Sequence, residues 1–482
     1  MKTIQPLCFV LPGRRCGLAA LLFTVLLLAS HLAHAGDAQW LLNPVDSNWS
    51  NANNWSAGGP PNGPSDTATF GLTNLGSIDV TADTEVDGIV YTSAPAPALT
   101  IFTLSNTIFD IDGAGLTNDS GHLQVLVSEY GSGGNVAARI NFRNSATAGN
   151  LTELIAVGGA ADNDGGGGFN FEDNTTAGSA TLVNDAGATA LASGGRINFM
   201  DNATAGNANI TNNASAFGGS SGTDLEFNNN ATAGNANITN DGGTASGADD
   251  GFTGFLASST GGNATFTNNG ATASGAGGGS LVFDDNTSAG NATIISNGAT
   301  VVGGNGGVTE FFVNASAGNA NITTTGGPDA NVSTGFTEFF DNSTAGNATL
   351  TTLGGNTTDV EGGVVEFNDT SSAGNATLVT RGGTAGALTG GFVHFSDNST
   401  AGQGNFTTNG ADANIQSSGS ILFSDNSTAG AGTFTNNGGL ASGNLGGTMV
   451  LYQFDFGFFD ISSKTLFKWL INPYLWGIRL IW

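Results

Sequence analysis

One motif, Phe-x-Asp/Asn-Asn-x-Thr-Ala-Gly-Asn-Ala, returns along most of this chain at an almost constant spacing. Aligned on its first Phe, it falls at Phe142, Phe171, Phe199, Phe227, Phe255, Phe283, Phe311, Phe339, Phe367, Phe395 and Phe423. After a first step that is longer by one position, every step is 28 residues. A fixed period in this range marks a repeat architecture, in which each unit buries its apolar face only against its neighbours. A second apolar column follows each Phe at a fixed offset, longer by one position in the first copy. It runs Leu154, Leu182, Ile210, Ile238, Phe266, Ile294, Ile322, Leu350, Leu378, Phe406, Phe434. A third column lies two positions before each Phe, from Ile140 and Phe169 to Val393 and Ile421, with Thr at 253, 309 and 337.

An apolar residue, a variable one and then Phe is a period-2 pattern, which predicts a short strand with alternate residues inward. Gly, Asn, Asp, Ser and Thr fill the intervals, and these residues form turns. Each unit therefore reads as strand–turn–strand–turn. Burying one large apolar side chain yields roughly 1.5–3 kcal/mol, whereas ordering each backbone residue costs about 1–2 kcal/mol. Two or three inward side chains cannot hold one unit alone, so units must stack like residue on like residue. The expected fold is all-β, a right-handed parallel β-helix or β-solenoid with 28-residue repeats. The favoured arrangement is one coil per 28 residues. The alternative is two unequal half-coils per repeat, one from Phe199 to Ile210 and one from Ile210 to Phe227, which would stack Phe199 on Ile210.

The rest of the chain divides around this array. Arg14 and Arg15, an apolar run from Leu18 to Leu28, and Ala33-His34-Ala35 give residues 1–35 the order of a secretory signal peptide cleaved after Ala35. Residues 36–139 lack the register and hold Trp40, Trp49 and Trp55. They are expected to form an N-terminal cap and irregular coils. Residues 140–448 hold the eleven repeats, and residues 449–482 form an aromatic-rich tail.

Both cysteines, Cys8 and Cys16, lie in the leader, so the exported chain has no thiol for a disulfide or metal. After Ala35 it carries 7 basic and 38 acidic residues, a formal charge of −31. Such a chain cannot neutralise phosphates, so no nucleic-acid partner is expected.

The motifs Asn-Trp-Ser at 54–56, Pro-Asn-Gly-Pro-Ser-Asp-Thr-Ala-Thr-Phe at 61–70, Gly-Ala-Gly-Leu-Thr-Asn at 113–118 and the Phe repeats themselves make residues 36–448 resemble the passenger region of bacterial autotransporter-type, type V secreted surface proteins. The resemblance implies a β-helix exported to the surface of a Gram-negative cell, serving in adhesion and followed by a translocating outer-membrane β-barrel. A barrel of about a dozen strands needs roughly 9–11 residues per strand, and positions 449–482 fall far short of that. The expectation is that the translocator barrel is missing from this chain and that the tail is truncated or frame-altered.

Four acidic residues, Asp341, Asp369, Asp397 and Asp425, share the position two after Phe in consecutive units. Stacked carboxylates repel, and Ca²⁺ prefers several oxygen ligands, so this column is the one candidate calcium site. The competing reading, preferred here, is that each Asp accepts turn N–H bonds and faces water. No other cofactor is expected. Glu226, Glu310, Glu338 and Glu366 share the position just before Phe. Asn174, Asn202, Asn230, Asn286, Asn314, Asn342, Asn398 and Asn426 predict an amide ladder. Thr residues flank the second apolar column, as in Thr265-Phe266-Thr267 and Thr349-Leu350-Thr351, and would point outward as an array.

Enzyme chemistry has little to draw on. His122 and His394 are the exported histidines, with His394 in an outward variable slot, and Arg139 and Arg196 read as isolated. No nucleophile triad, zinc spacing or phosphate loop is present. The expected function is a non-enzymatic, secreted or surface-displayed β-solenoid. It would act as an adhesin-like spacer whose polar faces bind an unknown cell-surface, matrix or glycan ligand. The alternatives are a carbohydrate-active β-helix enzyme, a polysaccharide lyase or hydrolase, and an ice- or glycan-binding Thr face.

Overall fold

A computed structural model describes residues 36–93, 98–329, 331–355, 360–384, 389–411, 417–439 and 444–451, and the backbone of 478–480. The expected signal peptide and nearly all of the expected aromatic tail lie outside the described residues.

The chain is a parallel β-solenoid. Strands carrying the Phe column, from Arg139–Phe142 to Ser420–Phe423, pair in parallel in one long sheet. Strands carrying the second column, from Thr152–Ala156 to Thr433–Asn436, continue three upstream strands, Ser77–Val80, Thr100–Thr103 and Gln124–Ser128, in a second sheet of 14 strands. At about 4.8 Å per strand, that sheet makes a rod about 60 Å long. A third, narrow side consists of single-residue parallel bridges, Thr147 to Thr176 to Thr204 and on to Thr400 and Thr428.

The register settles the coil length. Phe199 stands opposite Phe171 and Phe227, while Ile210 stands opposite Leu182 and Ile238. One coil in the regular array is therefore the full interval from one Phe to the next, and the half-coil alternative is overturned. Physically, a half-coil would place an aromatic ring on an aliphatic chain at most levels, as Phe199 on Ile210. The full coil lets every ring meet a ring.

Neighbouring rings of the Phe column from Phe142 to Phe423 lie 4.6–5.0 Å apart with interplanar angles of 5–12°. All eleven are buried. Opposite them, Phe266 meets Phe255 edge-on at 5.7 Å and Phe406 meets Phe395 at 5.8 Å. The narrow third side brings small residues inward, as with Ala203, Ala205 and Ala208 in one coil. Each coil thus buries more than the two or three side chains counted from the sequence, because Ala fills a corner that has no room for Leu.

Two corners of each coil need left-handed backbone. The first, two positions after Phe, has φ of 52–61° from Asn144 to Asp425. Asp and Asn tolerate this region better than other non-glycine residues. The second is the Gly of the Thr-Ala-Gly motif. At Gly262, φ is 61° and a Cβ would lie 2.7 Å from the Gly234 carbonyl oxygen one coil back, so a side chain there is barred twice over.

The coils continue upstream of the regular array. Ile78, Ile101 and Leu126 lead in register to Leu154 in the second sheet, and Phe109 and Ile111 pair with Ile140 and Phe142 in the first. The open end is closed by Trp40, Trp49 and Trp55, packed edge-on with Trp40–Trp55 at 5.0 Å and Trp49–Trp55 at 4.8 Å. The Trp55 ring N–H donates to the Trp49 carbonyl at 2.7 Å, and that of Trp49 to Pro61 at 3.1 Å. Burying these rings covers an end that would otherwise expose core and strand edge.

Candidate binding surfaces

The strands project alternate side chains outward, so each sequence column becomes a stripe along the rod. The Asp stripe sits at the first left-handed corner. Its carboxylates reach back one coil: Asp341 accepts from the Val313 N–H at 3.0 Å, Asp369 from Asp341 at 3.1 Å and Asp397 from Asp369 at 3.2 Å. Asp425 accepts from the Ser424 hydroxyl at 3.0 Å. Each of the four candidate calcium ligands is thus engaged with a protein donor, and Asp341, Asp369 and Asp397 each hold a turn of the preceding coil. Among the described residues, no group of three or more His, Cys, Asp or Glu side chains is arranged to hold a metal.

Amide ladders run beside it. Asn202 donates to Asn174 at 3.2 Å and Asn230 to Asn202 at 3.3 Å, as the Asn column predicts. A longer ladder, from Asn235 donating to Asn207 through Asn375 donating to Asn347, spans six steps of 3.0–3.3 Å. A third is buried. Asn212 donates to Asn240 and Asn240 to Asn268 at 2.8 and 2.9 Å, all three fully enclosed. Sequence reasoning missed it, although these residues lie two positions after the second column and share its inward parity. The buried Thr253 hydroxyl bridges this ladder, donating to the Asn240 side-chain oxygen at 2.7 Å and accepting from the Asn212 amide at 3.1 Å. The equivalent Thr337 hydroxyl is buried without a hydrogen-bond partner among the described residues.

The second sheet turns its Thr outward as expected, with Phe266 buried between the more accessible Thr265 and Thr267. At the corner beyond this sheet, a groove of about 620 Å³ runs parallel to the rod axis. Its floor is the column Asn213, Asp241, Asn269, Asn297, in which Asn269 donates to Asp241 at 2.9 Å and Asn297 to Asn269 at 3.2 Å. Thr272 and Thr300 stand on its wall.

The outward face of the first sheet carries the Glu column. Glu226 is held by Arg196 at 3.1 Å, and Arg196 also reaches Asp224 at 3.4 Å. Arg196 is therefore paired, correcting its reading as isolated. Both partners belong to the next coil and become neighbours only once the chain has wound back on itself. Arg139 donates to the carbonyls of Ala138 and Gly166 at 2.8 and 3.2 Å. Further along, Glu310, Glu338 and Glu366 are stacked in register, followed by His394. Burial, then the charges of Glu310 and Glu366, pushes the Glu338 carboxyl up to about 7. Burial, and more weakly Asp250, also raises Glu310. His394 occupies the outward slot, half-buried, 4.0 Å from Glu366 and 3.0 Å from the Ser424 hydroxyl. His122 is exposed in a loop.

The fold and these stripes define a β-solenoid scaffold of about 14 coils. No protein-family model, curated protein or solved structure matches the chain. Among the described residues, no helix is long and apolar enough to cross a membrane.

Proposed function

We propose that this chain is a non-enzymatic rod, secreted or displayed on the surface of a Gram-negative cell, that spaces and presents long binding faces in the manner of an autotransporter passenger. The observation that carries this reading is the groove floored by Asn213, Asp241, Asn269 and Asn297. It crosses coil after coil in the same chemistry, which suits an extended ligand held by repeated weak polar contacts. The exposed Asn and Thr stripes offer the same repetition on neighbouring faces. The ligand class is a cell-surface, matrix or glycan chain, and a separate outer-membrane barrel would complete export. Deleting whole coils while preserving secretion should abolish adherence of displaying cells. Adherence that survives the deletion rejects the role.

A carbohydrate-active enzyme is the second reading. Its support is the Glu310–Glu338–Glu366 column, where a carboxyl held near neutral pH stands beside other carboxylates. Two carboxyl groups of unlike pKa about 5 Å apart are the general plan of retaining glycosidases. Incubating the secreted chain with acidic and neutral polysaccharides tests it. Turnover abolished by Glu338→Gln would put this reading first.

A further inference from the structure

The outward face of the first sheet changes character over three successive coils. In earlier coils the outward triplets are mixed, as in Arg196–Asn198–Met200 and Ser280–Val282–Asp284. From 308 onward they become Val308–Glu310–Phe312, Phe336–Glu338–Phe340 and Val364–Glu366–Asn368, with Phe392–His394 closing the patch. Register places Phe336 opposite Val308 and Val364, and Glu338 opposite Glu310 and Glu366. The Phe312 and Phe340 rings stack at 4.9 Å with 7° between planes, outside the core. Side chains of these rows are neither enclosed nor freely solvated. The result is a flat grid with an acidic stripe between an apolar row of Val308, Phe336, Val364 and Phe392 and the Phe312–Phe340 pair.

From this grid we infer that the face at 308–394 docks an extended segment of a partner protein patterned apolar–x–Lys/Arg–x–apolar. The inference rests on the reading of the rod as a binding scaffold and names the chemistry of one partner. Two features single out that occupant. The first is charge complementarity: Glu310 and Glu338 have no ion-pair partner among the described residues, and each ionised carboxylate repels the next about 4.8 Å away. An incoming cation offsets that repulsion, and the apolar stripes strengthen its attraction by excluding water. The second is spacing. Outward residues on a strand recur about every 6.8 Å, so a second extended chain laid across the sheet sets its apolar, basic and apolar residues over the Val/Phe, Glu and Phe stripes together. A second copy of this face would set carboxylate on carboxylate, and a neutral glycan gains nothing from the charge. The raised pKa of Glu338 is the strain such a cation would relieve.

The test uses the full secreted chain and a labelled synthetic peptide repeating Leu-Thr-Lys-Thr-Leu, followed by fluorescence anisotropy. The peptide should bind, and binding should weaken with added salt. The combined Glu310→Gln, Glu338→Gln and Glu366→Gln variant should weaken it at least about tenfold. Asp369→Asn with Asp397→Asn, which removes the same kind of charge from the neighbouring turn stripe, should change it by less than about twofold. Three results overturn the inference: no binding, equal loss in the Asp variant, or equal binding by a peptide with Thr in place of every Leu. Circular dichroism confirms that each variant keeps its strands, and Glu338→Gln alone serves if the triple variant does not fold. Peptide binding that persists while cells no longer adhere, or the reverse, separates this inference from the adherence role.

Discussion

The Asp369 carboxylate accepts the backbone N–H of Asp341 at 3.1 Å, one full coil earlier, while both residues hold left-handed backbone with φ of 53°. One residue type therefore meets two demands of the corner at once: it tolerates positive φ, and it satisfies an amide of the preceding coil.

Val313 occupies the same corner with φ of 55° and meets neither demand. A β-branched residue there is an outlier, and left-handed backbone costs a non-glycine residue roughly 1–2 kcal/mol. Val313→Asn should raise stability by about 1 kcal/mol, read as a later midpoint in urea with an unchanged slope. A lower midpoint would contradict the strain.

Phe283 is enclosed between Phe255 at 4.6 Å and Phe311 at 5.0 Å. Phe283→Ala should cost about 3–5 kcal/mol, because the coils on either side keep their spacing through backbone pairing and cannot collapse into the gap. Amide hydrogen exchange should show the loss centred on the neighbouring coils. An unchanged exchange pattern would mean the ring adds nothing.

Two buried threonines in one column should respond oppositely to removal of the hydroxyl. Thr253 bridges Asn212 and Asn240, so Thr253→Val strands an Asn212 donor and should cost about 1–3 kcal/mol. Thr337 has no partner among the described residues, and Thr337→Val should be neutral or stabilising by about 1 kcal/mol. Equal losses in the two variants, compared by urea unfolding, would show that the ladder is not what Thr253 supports.

Glu338 gives the rod a definite pH dependence. Its folded pKa of about 7 lies above that of an unfolded glutamate, so the folded state holds the proton more tightly. Stability from this group is therefore full at acidic pH and falls as pH rises from about 4.5 toward 7. Glu310 acts in the same direction. The charged or titratable groups facing this stripe are Glu366, His394 and Asp250. Glu338→Gln should flatten the decline in unfolding midpoint between pH 5 and about 7.5. An undiminished decline would assign it to another group.

The Phe ladder was legible in the sequence because a period-2 strand inside a fixed repeat leaves one place for a large ring. The second column and the outward Thr followed by the same parity. The upstream coils were legible only as irregular coils and not in their register, since Ile78, Ile101 and Leu126 follow one another more closely than the repeat allows while still pairing. The inward Asn212 and Asn240 were hidden by their polarity, which suggests a turn until the parity of the strand is followed to its end. The apolar residues flanking the Glu column, Val308, Phe312, Phe336, Phe340 and Val364, escaped for a different reason. Aligning repeats emphasises what the copies share, and those flanking residues differ from most of the copies.

Each ring of the column from Phe171 to Phe395 has a stacked Phe neighbour above and below. Excising one complete repeat would bring Phe199 onto Phe255, again ring upon ring, although the outward Arg196–Glu226 pair would be lost. Replication slippage in whole multiples of the period would accordingly shorten or lengthen this molecule by about 4.8 Å per unit while keeping the stacked rings of the core in register. The length of the rod is thus a property that inheritance can adjust without redesigning its aromatic spine.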